Sequence, residues 1–248
     1  MKQNKKNLEM KVYGRHACLS LFKYRPLDLI RLYVTRDGVF EFKEMVRFCV
    51  DHKLAYHVVE KEELDTITKS THHEGIALVA RIRKVPTVKE LMDQKGRSLI
   101  LALESVENPH NLGAIIRTCA HYGVNGIVYE AKVPVALSAA AQRTAEGGAE
   151  VVPAVQISEW DSFLVEARRQ NYKIFATSSH QGESLFSMTF PSKAVVFLGA
   201  EGPGLSAKIL KKVDASVTIP GTGAVESLNV SNAWTAVASE WYRQKLSK

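Results

Sequence analysis

The chain has 248 residues, a length that suits one large domain or two modest ones. Hydrophobic residues make up 46% and charged residues 24%, as in a soluble globular protein, and no apolar run is long enough to span a membrane. The net charge of +7 is uneven, because residues 1–84 hold 17 Lys and Arg against 11 Asp and Glu, and the remainder holds 16 against 15. A basic front part indicates contact with a polyanion, although a surplus of six charges also fits a role in solubility alone.

Cysteine and histidine usage predicts neither disulfides nor a metal site. Cys18, Cys49 and Cys119 are widely spaced and form no C-x-x-C pair, so we expect small buried side chains in a reducing cytoplasm. The eight histidines contain no H-E-x-x-H pattern, and "HHEG" at 72–75 is typical of a turn. The start, "MKQNKKNLEMKVYG", has no apolar segment behind it, so it indicates a short, mobile, solvated tail and not a secretory signal.

In chain order, the front part predicts alternating helices and strands. We expect helices at "GRHACLSLFKY", "FEFKEMVRFCVDHK" and "EKEELDTIT", and strands at "LIRLYVT", "AYHVV" and "GIALVAR". This alternation predicts a small α/β sandwich. A boundary is expected near Arg83 to Lys95, where a proline separates two apolar runs. We therefore divide the chain into a domain at 1–84, a linker at 85–97 and a second domain at 98–248.

The second domain predicts a longer alternation of the same kind. We expect strands at "SLILALE", "GIVYE", "EVVPAVQ", "KIFATS", "AVVFLG" and "ASVTIP", with helices near "GAIIRTCAHY", "LSAAAQRTAEG", "SEWDSFLVEARRQN", "SAKILKKV" and at the end of the chain. Several of these strands are continuous apolar runs. Such runs predict a parallel sheet that is buried on both faces.

Three loops at the ends of these strands have an unusual composition, and ligands of open α/β sheets bind at such ends. In the first, "NPHNLGAIIRT", Asn111 is well placed to cap the following helix, and Arg117 lies six residues further on. Read alone, this loop indicates a capped helix with a surface arginine.

The second loop, "LGAEGPGLS", holds Gly199, Gly202 and Gly204, which allow the backbone to pass tightly around a ligand. It is neither a phosphate-binding loop nor a dinucleotide fingerprint. Glu201 is a suitable partner for a hydroxyl, an amine or an arginine.

In the third loop, "IPGTGAVESLNVSNAW", Gly221 and Gly223 end a strand, and Ser227 or Asn229 is placed to cap the last helix. Ser227 does not fit a catalytic triad, because there is no G-x-S-x-G motif and no histidine follows it in the chain.

Taken together, "NPHNLGAIIRT", "LGAEGPGLS" and "IPGTGAVESLNVS" occur in the order and spacing of one family. From about Leu99 to Lys245 the chain resembles the SpoU, or TrmH, family of ribose 2′-O-methyltransferases within the SPOUT superfamily. The front part, through "YGRHACLSLF" and "HHEGIALV", resembles the small ribosomal-protein-like RNA-binding domain that many members carry. The resemblance implies an α/β catalytic domain with a deep C-terminal trefoil knot, S-adenosyl-L-methionine as methyl donor, ribosomal or transfer RNA as substrate, and a homodimer.

The resemblance also assigns residues. It places Asn111, Arg117, Glu201, Ser227 and Asn229 at catalytic positions, and it implies a methyl-donor site made of Gly199, Glu201, Gly202, Ile219, Gly223, Leu228 and Asn229. No metal is implied. Because arginine stays protonated far above neutral pH, we expect Arg117 to position the ribose hydroxyl and a phosphate, and its action as a general base is a hypothesis.

The chain departs from the family pattern at Ala200, at Pro203 and in "RTAEGGAE", residues 143–150. These departures affect substrate choice more than donor binding, since "SLN" and the pocket glycines are intact. Two alternatives stay open: an RNA-binding factor on the same scaffold that has lost catalysis and acts in ribosome assembly, and a doubly wound nucleotide-binding enzyme, which the missing phosphate fingerprints disfavour.

Overall fold

The computed structural model describes residues 9–130, 138–200 and 202–246. Within them the chain forms two sheets, one before residue 82 and one after residue 97, each covered by helices. No helix in these ranges is both long and apolar enough to cross a bilayer. The two helix-covered sheets confirm the predicted α/β class with a mostly parallel sheet.

The first sheet is mixed. Its elements are, in chain order, β1 (Glu9–Tyr13), α1 (Arg15–Tyr24), a short 3-10 helix (Pro26–Asp28), β2 (Leu29–Thr35), α2 (Arg36–Glu41), α3 (Lys43–Asp51), β3 (Ala55–Val59), α4 (Lys61–Thr68) and β4 (Ile76–Arg81). The strands lie in the order β1-β4-β2-β3, with β4 antiparallel to both neighbours and β2 parallel to β3. Helices α1 and α3 bury Leu21 and Met45 against one face of this sheet.

Two sequence predictions are wrong in this region. The expected mobile tail includes β1, which pairs with β4 along its whole length and buries Val12 and Tyr13. Five residues of alternating pattern after a basic segment are too short a signal to stand out. The expected single helix at 40–53 is two helices, α2 and α3, separated at Phe42, whose side chain is buried in the core.

The second sheet is parallel at every described strand pair. Its region contains α5 (Val88–Met92), β5 (Ser98–Leu103), α6 (Pro109–Tyr122), β6 (Gly126–Glu130), α7 (Ala139–Thr144), a 3-10 helix (Gly148–Glu150), β7 (Ala154–Ile157), α8 (Trp160–Arg169), β8 (Lys173–Thr177), β9 (Glu183–Ser184), β10 (Lys193–Leu198), α9 (Ala207–Leu210), β11 (Ala215–Thr218) and α10 (Val230–Leu246). The strands lie in the order β7-β6-β5-β10-β8-β11-β9. All of β5 is buried, as its continuous apolar run predicts.

The segment that we expected to be a linker contains a helix. Thr87 caps α5 through a capping box with Glu90, and Leu91 and Met92 are buried in the core of the second sheet. Residues 88–92 therefore pack as part of the second unit. The division at 84 and 97 stays a prediction.

All three cysteines are free and buried, as their spacing predicts. Burial raises the pKa of the Cys18 and Cys119 thiols, which keeps both in the neutral, unreactive form. Cys119 also accepts a hydrogen bond of 3.2 Å from the indole N–H of Trp234, so it helps to join α6 to α10.

The segment "RTAEGGAE" joins the two sheets. Arg143 donates to the carbonyl of His72, the carbonyl of Gly147 accepts from Ser20, and the carbonyl of Ala149 accepts from Arg83. The departure from the family pattern thus lies at the contact between the front part and the second sheet.

The strongest link in this contact is the ion pair of Arg25 with Glu150. Arg25 Nε lies 2.6 Å from one carboxylate oxygen and Nη2 lies 3.0 Å from the other, and the two side chains are only 11% and 5% exposed. Burial alone would lower the pKa of Arg25, but the hydrogen bonds and the charge of Glu150 outweigh burial and raise it. Arg25 also pairs with Asp28 at 3.2 Å, so Glu150 is its buried counter-ion and Asp28 is a second, more exposed one.

We expect Glu150→Gln to lower the free energy of unfolding by about 2 kcal/mol, because the buried Arg25 charge then keeps only the more exposed Asp28 as a counter-ion. Asp51→Asn is the matched control, since Asp51 forms an exposed pair with Arg47, and its change should stay within about 0.5 kcal/mol. Urea denaturation measures both. Equal effects of the two variants would show that the buried pair does not hold the two units together.

Candidate active site

A cavity of about 470 Å³ lies at the carboxyl ends of the neighbouring strands β10, β8 and β11. This is the edge at which ligands of parallel α/β sheets bind. Its walls come from the loops after these three strands and from the first turn of α10: Thr177, Ser178, Ser179, Leu198, Gly199, Ala200, Gly202, Gly204, Leu205, Val217, Ile219, Glu226, Ser227, Leu228, Asn229, Val230 and Ala233. The second and third loops of the sequence analysis therefore meet in one cavity.

The second loop folds back on itself directly after β10. The Gly204 N–H donates to the carbonyl of Ala200 at 3.0 Å, and a Cβ on Gly199 would overlap the backbone of Gly204 and Leu205. Gly202 and Gly204 have φ of +86° and +68°, and a Cβ on either would meet open space. Glycine is thus required at 199 because a side chain has no room there. At 202 and 204 glycine is favoured because the backbone adopts a positive φ. Glu201 lies outside the described residues.

Sequence reasoning missed the residue that anchors this loop. The carboxylate of Glu104, which follows β5, accepts hydrogen bonds from the backbone N–H and the hydroxyl of Ser206, both at 2.7 Å. Ser206 in turn caps α9. A charged residue that closes the apolar strand "SLILALE" was the available signal.

The third loop enters α10 through Asn229. Its side-chain oxygen accepts from the backbone N–H of Ser231 at 2.9 Å, so Asn229 caps the helix and Ser227 does not. Its amide N–H donates to the side-chain oxygen of Asn111 at 3.2 Å. Asn111 does not cap α6 as we expected; Asn108 does, and the helix begins at Pro109. The two predicted asparagines therefore touch, in a network that joins the first turn of α6 to the start of α10.

Arg117 does not line this cavity. It forms an ion pair of 2.9 Å with Glu146 and lies in a separate cleft of about 250 Å³, beside His16, His110 and Arg143. Helix geometry explains the separation, because six residues rotate the side chain by about 240° and advance it by about 9 Å along the axis. Asn111 and Arg117 of one chain thus leave α6 in different directions.

Of the predicted donor-site residues, Gly199, Gly202, Ile219, Leu228 and Asn229 line the cavity. Gly223 does not line it. Ser227, predicted to be catalytic, also lines it. Among the described residues, no three His, Cys, Asp or Glu side chains are grouped to hold a metal ion.

Sequence reasoning also missed the wall that follows β8. The run of Thr177, Ser178 and Ser179 lines the cavity, and the Thr177 hydroxyl donates to the carbonyl of Phe197 on β10 at 3.0 Å. The sequence signal was three hydroxyl residues directly after "KIFA", at the end of β8 and just beyond it. They line the cavity because β8 lies beside β10.

Two family models match the chain. One, described as the SpoU rRNA Methylase family, matches residues 98–239, and another, described as RNA 2′-O ribose methyltransferase substrate binding, matches residues 11–86. Among curated proteins, the uncharacterized tRNA/rRNA methyltransferase YfiF of Escherichia coli O157:H7 is 39% identical over 95% of this chain and 68% of its own length. A protein of Haemophilus influenzae with the same description is 34% identical, and this chain spans only 66% of it.

A relative of similar length is the 23S rRNA (guanosine-2′-O-)-methyltransferase RlmB of Bordetella pertussis, which is 31% identical over 94% of this chain and 96% of its own length. Among solved structures, the SpoU methyltransferase AviRb of Streptomyces viridochromogenes, in complex with AdoMet, superposes with a TM-score of 0.82. It is 22% identical, and the match covers 98% of this chain and 92% of AviRb. At 22% identity, this superposition shows that the two proteins share a fold.

We expect Gly199→Ala to lower the free energy of unfolding by about 2 kcal/mol, because the added methyl overlaps the backbone of Gly204 and opens the loop. Gly221→Ala is the control from the third loop, since its added methyl has nothing within 4 Å, and it should change stability by less than about 0.5 kcal/mol. Urea denaturation compares them. A Gly199→Ala variant as stable as Gly221→Ala would contradict the tight turn.

Proposed function

The chain belongs to the SpoU rRNA methylase family, and from that premise we propose that it transfers a methyl group from S-adenosyl-L-methionine to a ribose 2′-hydroxyl of ribosomal or transfer RNA. The observation that carries this proposal is the cavity in which the second and third loops meet at the carboxyl ends of β10, β8 and β11. We place the reaction in the cytoplasm, in keeping with three free cysteines.

The cavity suits the methyl donor in size and chemistry. Its volume lies in the range of cofactor sites, about 300–1,000 Å³. Ile219, Leu205 and Leu228 supply apolar walls for an adenine, and the glycine loop and the hydroxyls after β8 supply hydrogen-bonding groups. Leu228 is 48% exposed and lines the cavity, so a donor bound there would cover its side chain. When bound, the donor supplies an electrophilic methyl group.

The polar residues at the mouth of the cavity would orient the ribose. We assign this role to Ser227 and to the Asn111–Asn229 pair, whose hydrogen bond holds both amides at the start of α10. The N-terminal end of α10 carries a partial positive charge, which favours an oxygen that is losing its proton. We propose that Glu201 acts beside them through the second loop.

Arg117 reaches the reaction, in our proposal, from a second copy of the chain. In one chain Arg117 pairs with Glu146 outside the cavity, and both side chains are about half exposed, so the pair is weak and exchangeable. A homodimer packed through α6 and α10 would place Arg117 of one subunit at the cavity of the other. There its guanidinium would hold the ribose hydroxyl and a phosphate.

We further propose that the C-terminal part forms the trefoil knot of the family and that the front part is its α/β RNA-binding domain. The knot is supported by the position of α10, which packs on α6 through Trp234 and is held at its end by Arg97. Arg97 precedes β5, so the last helix lies against elements from the beginning of its unit. The RNA-binding role of the front part is supported by its surplus of positive charge.

A substitution at Leu228 tests the donor site. Leu228→Asp should weaken donor binding at least about 30-fold, since burial of one leucine side chain contributes about 2 kcal/mol and the new carboxylate would lose hydration where the donor covers it. Leu210→Asp is the matched control, because Leu210 is 44% exposed and lies outside the cavity, and it should bind normally. Calorimetry with S-adenosyl-L-methionine measures both, and equal affinities would place the donor elsewhere.

Mixed dimers of two variants test whether the site is shared between subunits. At a donor concentration below the wild-type Kd, Arg117→Ala should abolish methyl transfer from tritiated donor to bulk RNA and Leu228→Asp should reduce it about 30-fold, but refolding them together should restore about a quarter of wild-type activity. Half of the dimers are then mixed, and each mixed dimer has one intact site. A site built within one chain restores nothing. Near-normal transfer by Arg117→Ala alone would refute both of its proposed roles.

The RNA and the nucleotide are identified by mass-spectrometric mapping of ribose methylation in cells with and without the protein. A methylated ribose that disappears on deletion and returns with the wild-type gene, but not with Leu228→Asp, assigns the substrate. Donor binding without any transfer would favour the RNA-binding factor over the enzyme.

A further inference from the structure

The face of the first sheet opposite α1 and α3 carries two cross-strand rows. The rows, read across β1, β4, β2 and β3, are Tyr13, Ala77, Tyr33 and His57, and then Lys11, Val79, Arg31 and Ala55. Helix α4 packs over β2 and β4, where Leu64 lies in one cluster with Tyr13, Ala77 and Tyr33. The accessible remainder of this face, which we call the open face, consists of the exposed Lys11, Arg31 and Ala55 from the second, cationic row and, from the first, aromatic row, the exposed His57 with the half-buried Tyr33.

In the aromatic row, Tyr33 and His57 stack with ring centroids 5.1 Å apart and an interplanar angle of 19°. Tyr33 is half-buried and packs against the Leu64 cluster, whereas His57 is exposed. Because β3 is the last strand of the described sheet, no strand lies beside the outer face of the His57 ring. The stack therefore ends in an accessible aromatic face.

In the cationic row, Arg31 donates to the Tyr33 hydroxyl at 3.1 Å and Lys11 donates to the carbonyl of Ile67 at 2.8 Å. Within the described part of the chain, neither forms an ion pair with a carboxylate, whereas Arg36 and Arg47 nearby do. Glu9 acts on Arg31 through its charge without forming an ion pair, and the remaining N–H groups of Arg31 and Lys11 stay available to an anion. The two rows lie two residues apart along the strands, which is roughly 7 Å.

We propose that the open face binds a single-stranded segment of RNA, with a base stacked on His57 and the neighbouring phosphates at Arg31 and Lys11. Protein modules that recognise single-stranded RNA stack unpaired bases on aromatic side chains and bind the backbone with cations. A duplex keeps its bases inside and offers only phosphates to such a surface. This inference rests on the RNA substrate of the proposed function and specifies how the front part selects it.

A cross-strand aromatic pair also stabilises a sheet without binding anything, so the test must separate affinity from stability. The probes are a fluorescein-labelled oligo(A) of 12 nucleotides and an RNA duplex of the same length, measured by anisotropy at one salt concentration. His57→Ala should weaken binding of the single strand at least about 5-fold, the lower limit for loss of one base stack, and leave duplex binding unchanged. His57→Phe should retain the affinity.

His52→Ala is the matched control. His52 is an exposed histidine that also stacks on an aromatic ring, that of Phe48, but it lies at the end of α3 and away from the open face. Its affinity for both probes should equal that of the wild type. Thermal unfolding of all variants checks that the fold is intact.

The phosphate contact has its own readout. Arg31→Gln should lower the slope of log affinity against log salt for the single strand by about 0.7, the value for one released counterion. In methyl transfer to bulk RNA, His57→Ala should raise KM and leave kcat unchanged. Equal losses on the two probes, or no loss on either, would overturn the proposal, whereas absence of transfer by the wild type would instead count against the proposed function.

Discussion

The parallel alignment of β10 with β5 on one side and β8 on the other is the constraint on which the site depends. Parallel strands end at the same edge, so the glycine loop after β10, the hydroxyls at the end of β8 and the third loop after β11 meet there although they are spread over residues 177–233 of the chain. Continuous apolar strands make this alignment stable, because both faces of the sheet are buried. The loops need no further support than short anchors such as Glu104 on Ser206.

A second constraint fixes the front part against the catalytic part. The residues of "RTAEGGAE" are engaged in contacts with α1 and β4 and their neighbours, and Arg25 with Glu150 is the most buried of these contacts. Removal of either charge would leave the other buried without its closest partner, so the residue at position 150 is strongly constrained. The pairing requires an acidic residue at 150, within a segment that departs from the family pattern. It also sets the open face of the first sheet at a defined position relative to the cavity.

The residue that caps α10 also lines the cavity. The side-chain oxygen of Asn229 accepts from the Ser231 N–H and its nitrogen donates to Asn111, so one side chain both ends the loop and orders the mouth of the cavity. A helix start in the sequence therefore gives no indication by itself of whether it is a site. Its neighbours in space decide that, and here they include the glycine loop and the exposed Leu228.

The sequence alone determined the parallel sheet, nearly all helices and strands, and the three loops, because hydrophobic period, glycine and capping residues act over a few neighbours. It did not determine that β1 is a strand or that Asn108 caps α6, since competing local patterns differ there by little free energy. Only the tertiary structure decided which predicted site residues share a cavity. Ser227, Leu228 and Asn229 do, and Arg117 does not, because the direction of a side chain from its helix and the order of strands in a sheet are set by packing between distant segments.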